Sequence, residues 1–155
     1  MDKIPITRQG YETLQKELIQ LKTIHRPQVI KAIEEARSHG DLSENAEYEA
    51  AKERQAFIEA RVNELSFKLN NADIIDAANL PKDRVVFASR VRLENVDTGE
   101  DVAYQLVGPD ESNIQEGRIS ITSPLGRAIM GRKPGDEVIV QAPGGKRVYE
   151  LVEIL

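Results

Sequence analysis

The sequence predicts an α+β fold in two parts: a long antiparallel helical hairpin over residues 1–76, a linker over 77–82 and a small β-rich domain over 83–155. Three observations predict it. Apolar residues recur at alternating three- and four-residue steps through two long charged runs of the first half. The stretch between those runs, residues 40–48, is short enough that the helices on either side must lie antiparallel. Beyond Pro81 the pattern changes to short alternating or β-branched runs separated by Gly, Pro, Asn and Asp.

The first helix is expected to begin at Thr7, whose hydroxyl can accept from one of the orphan amides of the opening turn. Tyr11, Leu14, Leu18, Leu21 and His25 then form a coiled-coil seam. Val29, Ile33 and Ala36 continue it after a step of four, a stutter that locally relaxes the supercoil. Pro27 falls inside the pattern and is expected to kink a helix running from about Thr7 to Ser38, on the order of 45 Å. His39-Gly40 ends it, since Gly is the usual residue just past a helix C-terminus. A second stripe passes through Ala51, Ile58, Val62, Leu65, Leu69 and Ala72, flanked by Phe57, and is closed by Asn70-Asn71 and the run from Asp73 to Asp76. Most other positions are Glu, Lys, Arg or Gln, so the hairpin has one dry seam and a wet exterior. It offers no concave pocket for a small molecule; its geometric product is reach.

In the second half, Val85-Val86-Phe87, Val91 with Leu93, Val102-Tyr104-Leu106 and Ile119 with Ile121 read as strands. Asp97-Thr98-Gly99-Glu100 is a turn that pairs the second and third of these as a hairpin. Ser123-Pro124 reads as an N-cap followed by proline at the first helical position, opening a short helix over 125–130 that ends at Gly131. Pro134-Gly135-Asp136 leads into a strand at Val138-Ile139-Val140. Pro143-Gly144-Gly145 leads into a last strand from Arg147 to Ile154, with Val148, Val152 and Ile154 expected on one face. A curved antiparallel sheet holding one helix results, and it shows no catalytic constellation.

Composition narrows the function. Without cysteine there are no disulfides, thiolate nucleophiles or Cys-ligated metals, and a reducing, cytoplasmic setting fits. No apolar run approaches the ~20 residues that span a bilayer, and the N-terminal residues lack the apolar core of a secretory signal, so no membrane partner is expected. A net charge of −5 argues against broad binding to duplex DNA, which phosphate neutralisation dominates. At 5% aromatic residues and no Trp, the surface is poorly equipped to stack bases. Any nucleic-acid contact must be local, and a protein partner is the expectation.

Asp41 and Glu44 stand out in the turn. One reading makes them a capping box for the second helix. Acid–base catalysis would need environments that push their pKa values apart, which an exposed tip lacks. Two carboxylates leave most of an octahedral Mg²⁺ shell unfilled, so an autonomous metal site is disfavoured. The remaining reading is that the tip lends its acids to a metal already held by another protein, and it alone accounts for the reach. Arg37, Lys52 and Arg54 lie within about three helical turns of the tip. They either pair with Glu34, Glu49 or Glu53 or steer a phosphate backbone. His25 fits a seam position and His39 a helix C-terminus, where the dipole favours it.

The run from Glu35 to Tyr48, Glu-Ala-Arg-Ser-His-Gly-Asp-Leu-Ser-Glu-Asn-Ala-Glu-Tyr, closely resembles the tip of bacterial GreA/GreB transcript cleavage factors. The likeness extends from Ile6-Thr7-Arg8-Gln9-Gly10 through Arg26-Pro27 to the run Ser123-Pro124-Leu125-Gly126-Arg127-Ala128 and Pro143-Gly144-Gly145. It implies a coiled coil followed by an FKBP-like domain that docks on RNA polymerase, with Ser123, Pro124, Leu125 and Arg127 as docking residues. It implies a hairpin inserted through the polymerase secondary channel, where Asp41 and Glu44 help hold a Mg²⁺ shared with the polymerase. The outcome would be hydrolytic cleavage of the 3′ end of backtracked nascent RNA by the polymerase itself, the factor being no nuclease alone. Arg37 and Lys52 match basic positions associated with the displaced RNA; Lys52 stands where Arg is expected, keeping charge but losing bidentate geometry. The acidic balance is nearer the GreA branch, and a monomer is expected. Some relatives block the channel and inhibit; both acids are intact here, which favours cleavage. A prolyl isomerase would need an aromatic-lined pocket, for which only Phe87, Tyr104 and Tyr149 are at hand.

Overall fold

The computed structural model describes residues 3–40 and 45–155. The chain forms two compact units, one built on Tyr11–Ala72 and the other on Pro5–Gly10 with Asp73–Leu155. The α+β reading holds, with the long helices in the first unit and a five-stranded sheet with one short helix in the second.

Strand β1 (Ile4–Thr7) leads directly into helix α1 (Arg8–Gln20). Thr7 caps it as expected: its Oγ1 accepts from the Gly10 amide at 3.0 Å. Beyond α1 lie a π-helical turn (Leu21–His25) and helix α2 (Arg26–Arg37). Pro27 therefore does not break the helix. The disturbance falls on the turn before it, where the Arg26 amide reaches back five residues to the Leu21 carbonyl. Pro27 has no N–H for the carbonyl four residues earlier, and widening the turn makes room for its ring. The same inserted residue absorbs the four-residue stutter of the seam.

Helix α3 (Ala46–Asn70) returns along α2. Leu14, Leu21, Val29, Ile33 and Ala36 are buried on one side of the seam and Ala51, Ile58, Val62 and Leu65 on the other, as the spacing predicts. Two arginine forks clamp the helices: Arg26 donates to both carboxylate oxygens of Glu59 at 3.0 and 2.8 Å, and Arg61 to both of Glu17 at 2.7 and 3.0 Å. Such bidentate pairs are the stronger kind of surface ion pair. The end of α3 departs from expectation. Its stripe stops at Asn70, and Ala72–Ile75 forms strand β2, paired with β1 in a two-stranded sheet.

In the second unit the five-stranded sheet has the order β5-β4-β3-β7-β6. Strands β3 (Arg90–Asn95) and β4 (Asp101–Val107) form the expected antiparallel hairpin, but β5 (Arg118–Ser120) runs parallel to β4, so the sheet is mixed and not purely antiparallel as expected. Helix α4 (Pro124–Ile129) precedes the hairpin of β6 (Glu137–Ala142) and β7 (Gly145–Ile154). Val85, Val91, Leu93, Leu106, Ile119, Ile129, Val138, Leu151 and Ile154 make the core.

Two further strand expectations fail here. Val85-Val86-Phe87 is a turn instead: the Val86 amide donates to Ser89 Oγ at 2.9 Å, the Ser89 amide to the Val86 carbonyl, and Ala88 sits at φ +72°. A serine side chain has taken the place of a strand neighbour, although Val85 still reaches the core. On β7 the register shifts between Arg92 and Leu93 of β3, so Leu93 faces Leu151 while Arg92 faces Glu153. The extra residue is a bulge, which breaks simple alternation. Leu151 joins Ile154 in the core, whereas Val148 and Val152 remain half-exposed.

The bond between Thr7 and Glu111, both in the second unit, is equally unforeseen. The Glu111 carboxylate accepts from the Thr7 amide at 3.2 Å and from Thr7 Oγ1, next to Gly10. Helix α1 has no acid in its own first turn, so Glu111 supplies the negative charge that its N-terminus favours.

Two outcomes are expected. A Cβ on Gly126 would run into the Ser120 carbonyl oxygen, which is backbone and cannot yield. Gly126→Ala should cost about 3 kcal/mol or more, measured by chemical denaturation. Glu64 bonds Lys68 at 2.9 Å and Arg61 at 3.2 Å, and its carboxyl is held below the usual 4.5, first by Lys68 and then by Arg61. A carboxyl depressed by folding stabilises above its unfolded pKa and loses that contribution as pH falls. Glu64→Gln should therefore flatten the loss of thermal stability on acidification below about pH 4.5, followed by circular dichroism.

Candidate functional site

Helix α2 runs out through Ser38, where the His39 amide donates to the Ala36 carbonyl at 3.2 Å and the Gly40 amide to that of Arg37 at 3.4 Å. Gly40 then turns the chain at φ +102° with open space around it, so backbone conformation and not room requires glycine. On the return side Asn45 is the N-cap of α3, its Oδ1 accepting from the Tyr48 amide at 3.1 Å. Its Nδ2 donates to the Ala36 carbonyl at 2.7 Å. His39 Nδ1 lies 3.3 Å from a Glu47 carboxylate oxygen, a second link across the base of the turn.

Asp41 and Glu44, with Leu42 and Ser43, lie outside the described residues. The helix they were expected to cap begins only at Ala46, and Asn45 caps it. The capping-box placement is corrected accordingly. A cap sits directly before the first helical residue, so an Asn followed by Ala-Glu-Tyr was the signal in the sequence that could have found it. Among the described residues no group of three or more His, Asp or Glu could hold a metal ion.

Arg37 and Lys52, singled out as basic positions, line one cleft of about 200 Å³ between α2 and α3, together with Ile30, Ile33, Glu34 and Gln55. Neither forms an ion pair among the described residues; Lys52 Nζ donates to Gln55 Oε1 at 3.2 Å. The cleft is smaller than the ~300 Å³ at which small-molecule pockets begin.

A second, larger cleft of about 400 Å³ lies in the sheet unit. Ser123, Pro124 and Leu125 line it with Tyr104, Ile114, Val140, Arg147 and Tyr149; Arg127 is on the same helix but outside the lining. Ser123 Oγ caps α4, accepting from the Gly126 amide at 3.0 Å and donating to the Ser120 carbonyl at 2.6 Å. Burial is the main cause that pushes the Tyr104 hydroxyl above its usual 10. Tyr104 and Tyr149 meet here, while Phe87 does not line the cleft. Ile114 is 72% exposed, far more than a side chain serving only a core. Sequence reading passed over it because the one strand near it, β5, begins four residues later.

A family model described as transcription elongation factor, N-terminal, matches residues 4–74, and one described as transcription elongation factor, GreA/GreB, C-term, matches residues 80–155. The chain belongs to the GreA/GreB family of transcription elongation factors. It is 55% identical over 155 residues to transcription elongation factor GreA of Methylococcus capsulatus, covering 99% of this chain and 98% of that protein. It is 54% identical to GreA of Neisseria meningitidis serogroup A and 55% identical to that of Halorhodospira halophila, each with the same coverage. In this GreA/GreB chain both units thus fall within matched regions, and so does the turn between α2 and α3.

Gly40 supplies a local check on the turn. Gly40→Ala forces an L side chain into the left-handed region and should lower stability by about 1–2 kcal/mol, read from the thermal midpoint.

Proposed function

We propose that this transcription elongation factor is a transcript cleavage factor of the GreA type. It docks on RNA polymerase, passes the turn of its hairpin through the secondary channel, and presents Asp41 and Glu44 to the polymerase active site. There the polymerase hydrolyses the 3′ end of backtracked nascent RNA, and elongation resumes. The observation that carries this reading is 55% identity over 155 residues to a GreA protein, in a chain whose sequence places both acids between α2 and α3.

The chemistry of the donor set fits a shared Mg²⁺. Asp41 and Glu44 are hard oxygen donors, and two carboxylates leave an octahedral shell to be completed by the polymerase. A magnesium ion so shared supplies Lewis-acid stabilisation and a more acidic bound water. The chain's own residues deliver and orient. Helix α3, with 25 residues, is about 37 Å long, which gives the turn its reach. Arg37 and Lys52 neutralise phosphates of the displaced RNA, a local positive surface on a chain of net charge −5. Lys52 does so as a point charge, steadied by Gln55. The cleft at Ser123, Pro124 and Leu125 takes an apolar segment of the polymerase, with Ile114 and Tyr149 as its exposed walls and Arg127 at its margin. The factor acts as a monomer, and the hydrolytic activity belongs to the polymerase.

The test is a backtracked elongation complex with 3′-labelled RNA. The wild-type protein releases short 3′ fragments; Asp41→Asn lowers that rate by on the order of 10²-fold while polymerase binding persists. Cleavage by Asp41→Asn at the wild-type rate would refute the shared-acid reading, and fragment-free stalling with wild type would make the protein a channel-blocking inhibitor. Docking is checked separately. Ile114→Asp should raise the protein concentration for half-maximal cleavage about tenfold and leave the plateau rate unchanged.

A further inference from the structure

We infer that Asn45 is a positioning residue for the cleavage reaction, a bridge that sets the spacing of the two chain ends from which Asp41 and Glu44 are presented; this rests on the cleavage reading above. Its side chain uses both halves of the amide. Oδ1 accepts from the Tyr48 amide, one of the orphan donors at the start of α3, at 3.1 Å. Nδ2 donates at 2.7 Å to the carbonyl of Ala36, which is only 2% exposed, in the last turn of α2. The Tyr48 amide can face only the oxygen, so these partners also determine which way the Asn45 amide is turned.

A cap alone would not require asparagine. Asn, Asp and Ser cap about equally well. What Asp lacks is the donor: a carboxylate oxygen in the place of Nδ2 would face the Ala36 carbonyl, acceptor against acceptor. What Ser lacks is length, since its hydroxyl can cap Tyr48 but cannot also span to α2. Asparagine is the residue that satisfies α3 and grips α2 at once. His39 and Glu47 cross the same base at 3.3 Å, but both are largely exposed and add little rigidity. Asn45 therefore carries the link between the last turn of α2, at Ala36, and Ala46, where α3 begins. Acids that complete another protein's metal site must arrive within a fraction of an ångström of their working positions, and small misplacements cost large factors in rate.

The experiment compares Asn45→Asp and Asn45→Ser with wild type and Asp41→Asn on the full chain. It records the thermal midpoint, the protein concentration for half-maximal cleavage of a backtracked complex, and the plateau cleavage rate. Both Asn45 variants should stay folded, with thermal midpoints only a few degrees below wild type because α3 stays capped and a single hydrogen bond is lost, and should reach half-maximal cleavage at the wild-type concentration. Their plateau rates should fall about tenfold, the loss expected when one well-placed hydrogen bond no longer holds the geometry. The serine variant separates lost bridging from the added charge of aspartate. Wild-type plateau rates in both Asn45 variants, or a changed half-maximal concentration with an unchanged plateau, would overturn the proposal. Undiminished cleavage by Asp41→Asn would instead overturn the reading on which it rests, so the two failures are distinct.

Discussion

The dry seam of the hairpin is the interaction on which the rest of the first unit depends. Val29, Ile33 and Ala36 are buried on one side and Ala51, Ile58, Val62 and Leu65 on the other. Each fully buried aliphatic side chain contributes about 1.5–3 kcal/mol, whereas exposed ion pairs contribute ~1 kcal/mol or less. The seam, with help from the Arg26–Glu59 and Arg61–Glu17 forks, therefore holds the helices together without calling on their outer faces. That freedom is what permits Arg37 and Lys52 to face one cleft with no carboxylate paired to either among the described residues. The seam cannot organise the turn, because apolar burial ends where the helices end. At that point geometry passes to individual hydrogen bonds, of which those of Asn45 are the most consequential.

The second unit solves a different problem, which is to hold an apolar cleft open beside a packed core. Gly126 lets α4 approach the Ser120 carbonyl more closely than any other residue would allow. Ser123 pins the start of the same helix by accepting from Gly126 and donating to Ser120. The helix is thus fixed by backbone contacts at its first turn, leaving Pro124 and Leu125 to line the cleft instead of filling it. The bulge on β7 turns Leu151 inward, into the core.

Much of the fold was legible because it follows from period. The seam residues of both helices, the β3–β4 turn and the Ser123-Pro124 start of α4 each depend on neighbours within a few positions. The errors share one cause, a distant or side-chain partner replacing the expected local one. Val86 pairs with Ser89 Oγ in place of a strand, the bulge answers to β3, and β2 forms because β1 is there to pair with it. Of the candidate site, the residue types and their order were visible. The juxtapositions of Arg37 with Lys52, and of Ser123 and Leu125 with Ile114 and Tyr149, required the folded chain.

By itself the sequence determined the class of the protein: two amphipathic runs around a short acidic turn, then a β-rich unit, in the order that marks the GreA/GreB family. Hydrophobic period and turn chemistry are local properties, so a linear chain carries them openly. Only the tertiary structure decided how the turn is anchored. Asn45 is one residue among several plausible caps until its Nδ2 is found on the Ala36 carbonyl, nine residues back and on the other helix. Hydrogen bonds of that kind depend on the packing of α2 against α3, and packing is a property of the fold and not of any stretch of sequence.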